Sequence, residues 1–368
     1  MDRPIGGGGG INGPAQREGM VSGRSEPGGG RATIEGLRAH GIVPGRPDLG
    51  GGAATPSFTL PEGAGPGLPG PPEPLEIGGR PFVWGRRTYV MGILNVTPDS
   101  FSGDGLLARV GRDQVVDAAV AVARRMAAEG VDILDVGGES SRPGHQPVDE
   151  DEELARVVPV VAALREALPG LPISIDTVKP RVAEAAVAAG AALLNDVWGV
   201  AANDDLLAVA AGTGVPIVLM HNRREARYTN LIAEVIADLE RAIEGALARG
   251  VPWERILVDP GFGFGKTPEQ NLALLRQLHL FRVLGRPILL GTSRKSTLGK
   301  VLDLGPEERL EATLATTALA VAAGVDIVRV HDVRPNLRVA RMADAIARGW
   351  PGEGADGDHG RTVGPAVR

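Results

Sequence analysis

The sequence predicts an α/β protein, a (β/α)8 TIM barrel behind a disordered Gly/Pro-rich N-terminal extension, and three observations carry that expectation. From Thr88 onward, short apolar runs alternate with longer Ala/Leu/Arg/Glu-rich segments whose apolar residues recur at helical spacing. Eight such pairs fit in roughly 260 residues, the arithmetic of a closed barrel, whereas a doubly wound sheet uses fewer strands and a Gly-rich first turn. Finally, the apolar runs end on or beside polar residues. Right-handed crossovers bring the C-terminal ends of all strands to one rim, so these polar residues converge there.

The elements follow in order. Residues 1–74 hold 21 Gly and 12 Pro with a single aromatic, Phe58, too little apolar surface to offset the entropy of ordering, so the segment is expected to be disordered. A short stretch, Arg31 to Ile42, has the makings of a helical turn or two, weakened by Gly36. Strands are expected at 88–95, 131–136, 172–176, 191–195, 215–220, 255–259, 286–291 and 325–330. Helices are expected at 113–129, 149–168, 179–190, 204–213, 231–249, 268–281, 306–323 and 335–348. The barrel domain spans 80–350, and 351–368 read as a flexible tail. Continuously apolar strands fit burial on both faces, against the barrel interior and against the helices.

Composition excludes several function classes. A net charge of -6 over 368 residues argues against phosphate-driven nucleic-acid binding, which needs a basic face. The absence of cysteine removes disulfides, thiolate nucleophiles and Cys-held metals. No apolar run has the length of a membrane span and the N-terminus lacks the apolar core of a signal peptide, so a cytoplasmic location is expected.

At the rim, Asn95 closes the first strand ahead of a Gly- and Pro-punctuated loop carrying Phe101 and Asp104, which reads as a mobile lid or as a turn whose Phe packs back on the barrel. Asp135 leads into Gly137-Gly138, glycines that let backbone approach a ligand, and Arg142, which can meet an anion. Asp176, Asn195 and Asp259 supply acceptors and one amide, suited to a flat heterocycle with several N–H donors; Asp176 alone reads equally as a turn former before Lys179-Pro180. The run Gly261 to Thr267 is not a Walker A loop, because its glycine spacing is short by one residue, and Phe262 and Phe264 read as walls, one toward the core and one toward a ligand. Ser293-Arg-Lys-Ser296 and Arg329-Val-His331 fall where barrels commonly hold phosphate. Arg329 reads either as an oxyanion grip or as a strut to a barrel carboxylate. The six histidines are scattered, so a hard ion on Asn95, water and substrate phosphates is favoured over a histidine site.

Taken together, Met91 to Ser102, Asp135 to Gly144, Ser174 to Thr177, Leu194-Asn-Asp196, Leu219-Met-His221, Asp259 to Lys266, Ser293 to Ser296 and Arg329 to Asp332 closely resemble the dihydropteroate synthase family. The resemblance implies condensation of 6-hydroxymethyl-7,8-dihydropterin diphosphate with 4-aminobenzoate. It implies that Asp135, Asp176, Asn195 and Asp259 hold the pterin together with Lys295, and that Asn95 ligates Mg2+ beside the diphosphate. Arg142, Arg329 and His331 match diphosphate-binding positions, and Phe101, Ser141, Pro143, Phe264 and Ser296 the aminobenzoate pocket. Lys295 and Asp259 are the expected catalytic residues, with Asp104 as a lid carboxylate. A homodimer through late helices is also implied, with the Ala/Thr-rich stretch 312–323 able to pack closely on a partner or inside the chain. Two departures from the family pattern stand out: Ser100 to Gly105 shifts the loop acid by one position, and Ser141 replaces a threonine. Two other readings share the pterin-holding residues: a barrel that passes a methyl group to a corrinoid protein, and a paralogue that binds pterin without catalysis.

Overall fold

The computed structural model describes residues 69–96, 112–139, 148–199 and 204–350. A β-hairpin comes first, β1 (Leu75–Ile77) and β2 (Arg80–Phe82), antiparallel about Gly78 and Gly79, both in the left-handed region that a two-residue turn requires. Eight parallel strands follow: β3 (Tyr89–Asn95), β4 (Ile133–Gly137), β5 (Ile173–Asp176), β6 (Leu193–Asp196), β7 (Ile217–Met220), β8 (Ile256–Asp259), β9 (Leu289–Leu290) and β10 (Ile327–Val330). Each neighbours its sequence successor from β3 to β8, and β10 lies between β3 and β9. A parallel bridge between Val258 and Ile288, with Val258 N donating to the Pro287 carbonyl at 3.0 Å, closes the ring.

Nine α-helices stand among the described residues: α1 (Arg112–Glu129), α2 (Glu150–Ala167), α3 (Pro180–Ala189), α4 (Asp204–Thr213), α5 (Leu231–Ala248), α6 (Pro268–Arg276), α7 (Ser296–Leu302), α8 (Leu310–Ala322) and α9 (Val333–Ala347). Asp149 caps α2 by accepting from Asp151 N, Asn230 caps α5 by accepting from Ala233 N, and Thr267 with Gln270 forms a capping box on α6. None of these helices is long and apolar enough to cross a membrane.

Most expected boundaries hold to within two residues; the expected strand 286–291 shortens to Leu289–Leu290, and two expected helices differ. The expected helix 268–281 stops at Arg276 and continues as a 3-10 segment, Leu278–Leu284, whose spacing buries Leu278, Phe281, Val283 and Leu284 together. The expected helix 306–323 begins with a separate turn at Pro306–Glu308, and α8 starts only at Leu310. The unit that begins with β9 gains α7, a seven-residue helix the apolar pattern did not reveal.

Two apolar layers organise the molecule. One lies between strands and helices, where Leu94, Val136, Ile175, Leu194 and Leu219 meet helical residues such as Val157 and Leu239. The other fills the lower barrel with Met91, Ile133, Leu193, Val218, Leu257, Leu289 and Ile327, and the hairpin region closes it from below with Leu75, Ile77, Phe82 and Trp84. Phe82 and Tyr89 approach to 4.6 Å between ring centroids, and Trp84 meets Tyr89 edge-on at 5.6 Å. The hairpin is therefore a barrel plug. Phe82 is 2% exposed, so Phe82→Ala is expected to cost about 3–5 kcal/mol by leaving a cavity at the barrel base; an unchanged Tm would show that the plug contributes nothing.

Because side chains alternate along a strand, the positions two residues beyond this apolar rung point into the same lumen. On four strands those positions are Asp135, Asn195, Asp259 and Arg329, with Ser174 and Asp176 alternating likewise on β5, while β3, β7 and β9 place Ile93, Met220 and Gly291 there. The period-2 repeat thus turns one part of the lumen from apolar to polar within one step and leaves the rest apolar.

Candidate active site

Asp135, Asp176, Asn195 and Asp259 are all buried, at 0%, 9%, 3% and 4% exposure, so four polar side chains share a rung out of bulk water. Asn195 Nδ2 donates to Asp135 Oδ2 at 3.3 Å, and Asp259 Oδ1 accepts from Gly261 N at 2.7 Å. Arg329 Nε donates to Asp135 Oδ2 at 2.5 Å and its Nη2 to Asp176 Oδ2 at 2.7 Å. Of the two sequence readings of Arg329, the strut is the contact the structure shows. Asp176 caps no helix, since α3 has Lys179 at its N-cap position without a side-chain bond.

Burial pushes the Asp176 carboxyl up to about 7, although the Arg329 guanidinium pulls it down. Burial also raises Asp259, against the pull of the Lys295 ammonium. Lys295 is drawn down to about 8 by its own burial, with Asp259 acting the other way. Its Nζ donates to the Phe262 carbonyl and lies 4.3 Å from the centre of the Phe264 ring. Phe262 is fully buried and Phe264 is partly exposed, as the reading of one core wall and one ligand wall expects.

In the same loop as Lys295, Ser293 Oγ accepts from His331 N at 3.1 Å and lies 2.9 Å from His331 Nδ1. The two contacts fix the orientation of the imidazole ring beside Ser293. Arg294, read from sequence as part of an anion-binding run, instead forms a two-pronged bond with Asp332 at 3.1 and 2.9 Å and a third bond to Glu307 at 2.7 Å. It therefore anchors the loop and does not face the lumen with Lys295. Ser296 opens α7 and is exposed, and Asn95 is partly exposed at the end of β3. Phe101, Asp104, Ser141, Arg142 and Pro143 lie outside the described residues.

Two features escaped the sequence reading. Gly138 is not an opening for ligand: a Cβ there would meet Val157 Cγ1 at 2.7 Å and Glu153 Cγ at 2.8 Å, so its smallness lets α2 close on β4. Lys179 gathers Glu139, at 2.5 Å, and Glu153 of α2, while Glu139 Oε1 accepts from Val148 N at 3.3 Å. Only Lys179-Pro180 as a turn was visible in the sequence, because its two acidic partners are remote in the chain.

Asp135 Oδ1 and Ser174 Oγ are buried without a hydrogen-bond partner. Unpaired buried acceptors are costly, and a ligand rich in N–H donors satisfies them. A polar rung of carboxylates and an amide, flanked by a low-pKa lysine and an Arg/His pair, defines a barrel enzyme site for a flat, nitrogen-rich heterocycle carrying an anionic group.

The known proteins agree with that class. Residues 91–331 match the Pterin binding enzyme family, and the chain belongs to it. The dihydropteroate synthase of Clostridium beijerinckii is 50% identical over 275 residues, covering 74% of this chain and 100% of that protein. Among solved structures, a Clostridium difficile dihydropteroate synthase in the presence of pteroic acid is 50% identical with a TM-score of 0.69, covering 73% of this chain and 99% of the other. The Xanthomonas albilineans enzyme with 4-aminobenzoic acid is 42% identical with a TM-score of 0.70, covering 76% and 100%.

Proposed function

We propose that this chain catalyses the dihydropteroate synthase reaction, joining 4-aminobenzoate to 6-hydroxymethyl-7,8-dihydropterin diphosphate with release of diphosphate. The observation that carries the reading is the buried rung of Asp135, Asp176, Asn195 and Asp259 with the unpaired Asp135 oxygen, which fits the amino and ring N–H donors of a pterin. In the chemistry, the methylene–oxygen bond breaks and its electron pair leaves with diphosphate. The resulting cation is delocalised into the pterin, and the arylamine nitrogen then forms the new C–N bond and gives up a proton. Carboxylates held in a low-dielectric lumen stabilise developing positive charge and need no reorganisation to do so. Lys295, fixed over Phe264, borders the pterin edge and the aminobenzoate side; Arg329 and His331 receive the departing anion.

Mg2+ is part of the proposal. Among the described residues, no three acidic or histidine side chains assemble into a metal-holding group, so a hard ion here would take the Asn95 amide oxygen and complete its shell with diphosphate oxygens and water. Such an ion would neutralise charge on the leaving diphosphate. A coupled assay for dihydropteroate, run with and without aminobenzoate, tests the reaction. Product is expected only with both substrates, and EDTA is expected to abolish it; full turnover after rigorous metal removal would remove the ion from the mechanism.

We also propose that the working enzyme is cytoplasmic and a homodimer. The Ala/Thr face of α8 is used inside the chain, since Thr313, Thr316, Thr317 and Ala320 are buried. α8 and α9 instead expose Leu319 at 40%, Met342 at 63% and Ile346 at 63%, flanked by the exposed Arg338 and Arg341. Met342→Glu with Ile346→Glu is expected to yield monomers in sedimentation; a mass unchanged from that of the unmodified chain refutes this face.

A further inference from the structure

The loop from Gly261 to Lys266 failed as a phosphate loop, and its lysine has no part in the reaction as derived above. Its backbone is folded tightly against neighbours. A Cβ on Gly261 would overlap the His221 carbonyl, one on Gly265 would overlap Arg223 backbone, and one on Gly263 would come within 2.8 Å of Lys295 Cδ. The φ angles of Gly261, Gly263 and Gly265 are all positive, at 71°, 85° and 55°.

Inside that ring lies the Lys266 ammonium. Its Nζ donates to the Gly261 carbonyl at 2.9 Å and the Phe264 carbonyl at 3.0 Å, and lies 2.9 Å from His221 Nδ1. Three acceptors match the three N–H groups of the protonated side chain, which burial draws down to about 7 against the pull of Asp259. His221 is fully buried and drawn down to about 3, first by burial and then by Lys266, so its imidazole is neutral. Its Nε2 lies 3.1 Å from Asp238 Oδ2 and donates there, which leaves Nδ1 as the acceptor for Lys266. The same loop holds the second lysine from its other side: the Phe262 carbonyl accepts from Lys295 Nζ, and Phe264 presents its ring to it. Asn271 ties the loop to the helix that Lys295 begins, accepting from Gly263 N at 2.8 Å and donating to Thr297 Oγ1 at 3.0 Å.

We infer that Lys266, backed by His221, is a positioning residue that shapes the 261–265 backbone so that the Phe262 carbonyl and the Phe264 ring hold the Lys295 ammonium at the pterin subsite. The inference rests on the reaction proposed above. Without Lys266 the Gly261 and Phe264 carbonyls lose their shared donor, and a loop with three glycines has the freedom to let Phe262 and Phe264 drift from Lys295.

A double-mutant cycle tests it, with K266M, K295A and the pair assayed by steady-state kinetics against both substrates. K266M is expected to lower kcat/KM for the pterin diphosphate about 10²-fold, as a displacement near 1 Å of a reacting contact does. KM for aminobenzoate is expected to rise less than that for the pterin diphosphate, since Phe264 borders the aminobenzoate pocket while Lys295 bonds the pterin. In the K295A background K266M should add little, because its effect is transmitted through the side chain already removed. Additive effects, wild-type kinetics in K266M, or an equal rise in both KM values overturn the inference, since a general loosening of the fold moves all parameters. If K266M does not fold, H221L removes one of the three acceptors at similar volume, and the same non-additivity with K295A is required. A wild-type chain that makes no dihydropteroate refutes the assigned reaction and this inference with it; product formation with an additive cycle refutes the inference alone.

Discussion

Lys295→Ala and Asp259→Asn are each expected to lower kcat/KM for the pterin diphosphate by about 10²–10³-fold while the fold is retained. The two residues lie on neighbouring elements, at the end of β8 and ahead of α7, and each is the leading charged influence on the other's ionisation. The amide introduced by Asp259→Asn would keep one oxygen for Gly261 N but present a hydrogen where the pterin's own donors must bind. The resulting donor–donor clash weakens binding of the pterin itself, and the loss of negative charge opposite a developing cation acts mainly in the transition state. Loss of Lys295 removes the donor to the Phe262 carbonyl and the cation over Phe264, so kcat is expected to fall more than the substrate KM rises. Near-wild-type turnover in either folded variant would take both residues out of the site, and a circular dichroism spectrum matching the wild type separates a lost contact from a lost fold.

The barrel was legible because each βα unit declares itself locally: a continuous apolar run, a polar end, then helical spacing with caps such as Asp149 and Thr267. The β1–β2 hairpin was not, since three-residue strands are too short to show a period, and what makes them fold is burial of Phe82 and Trp84 under the barrel. Helix α9 begins at Val333, two residues earlier than expected, because Pro335 is tolerated in a first helical turn. At the site, residue types at strand ends could be read from sequence, but pairings could not. Arg329 meets Asp135 and Asp176 across 194 and 153 residues only because β10 closes beside β3. Arg294 turns to Asp332, and Lys266 turns into its own loop, for the same reason: local sequence names a cation, while topology decides which oxygen it meets.

Arg329→Met should affect stability as well as catalysis, which sets it apart from the Lys295 and Asp259 changes. The guanidinium lies between two buried carboxylates, and breaking a buried ion pair from one side costs about 3–5 kcal/mol because the other charge is left uncompensated. The penalty depends on pH in a defined direction. Asp176 stands at about 7 in the folded chain against 3.8 for an ordinary aspartate, so between those values the folded state holds a proton that the unfolded state has released. Its contribution to stability is therefore greatest below the unfolded value and is lost as pH rises through about 7. Removing Arg329 takes away the charge that pulls Asp176 down, which pushes the carboxyl higher still and widens the window. Urea unfolding of wild type and Arg329→Met at about pH 8 and about pH 5.5 is thus expected to show the larger deficit at the higher pH, where the variant must either ionise an unpaired carboxylate or hold its proton against solvent. Turnover should fall by about 10²–10³-fold, since the anion receiver is gone as well. Equal deficits at both pH values would mean that Asp176 does not titrate against Arg329, and a variant as stable as the wild type would mean that the two carboxylates do not rely on the guanidinium for compensation.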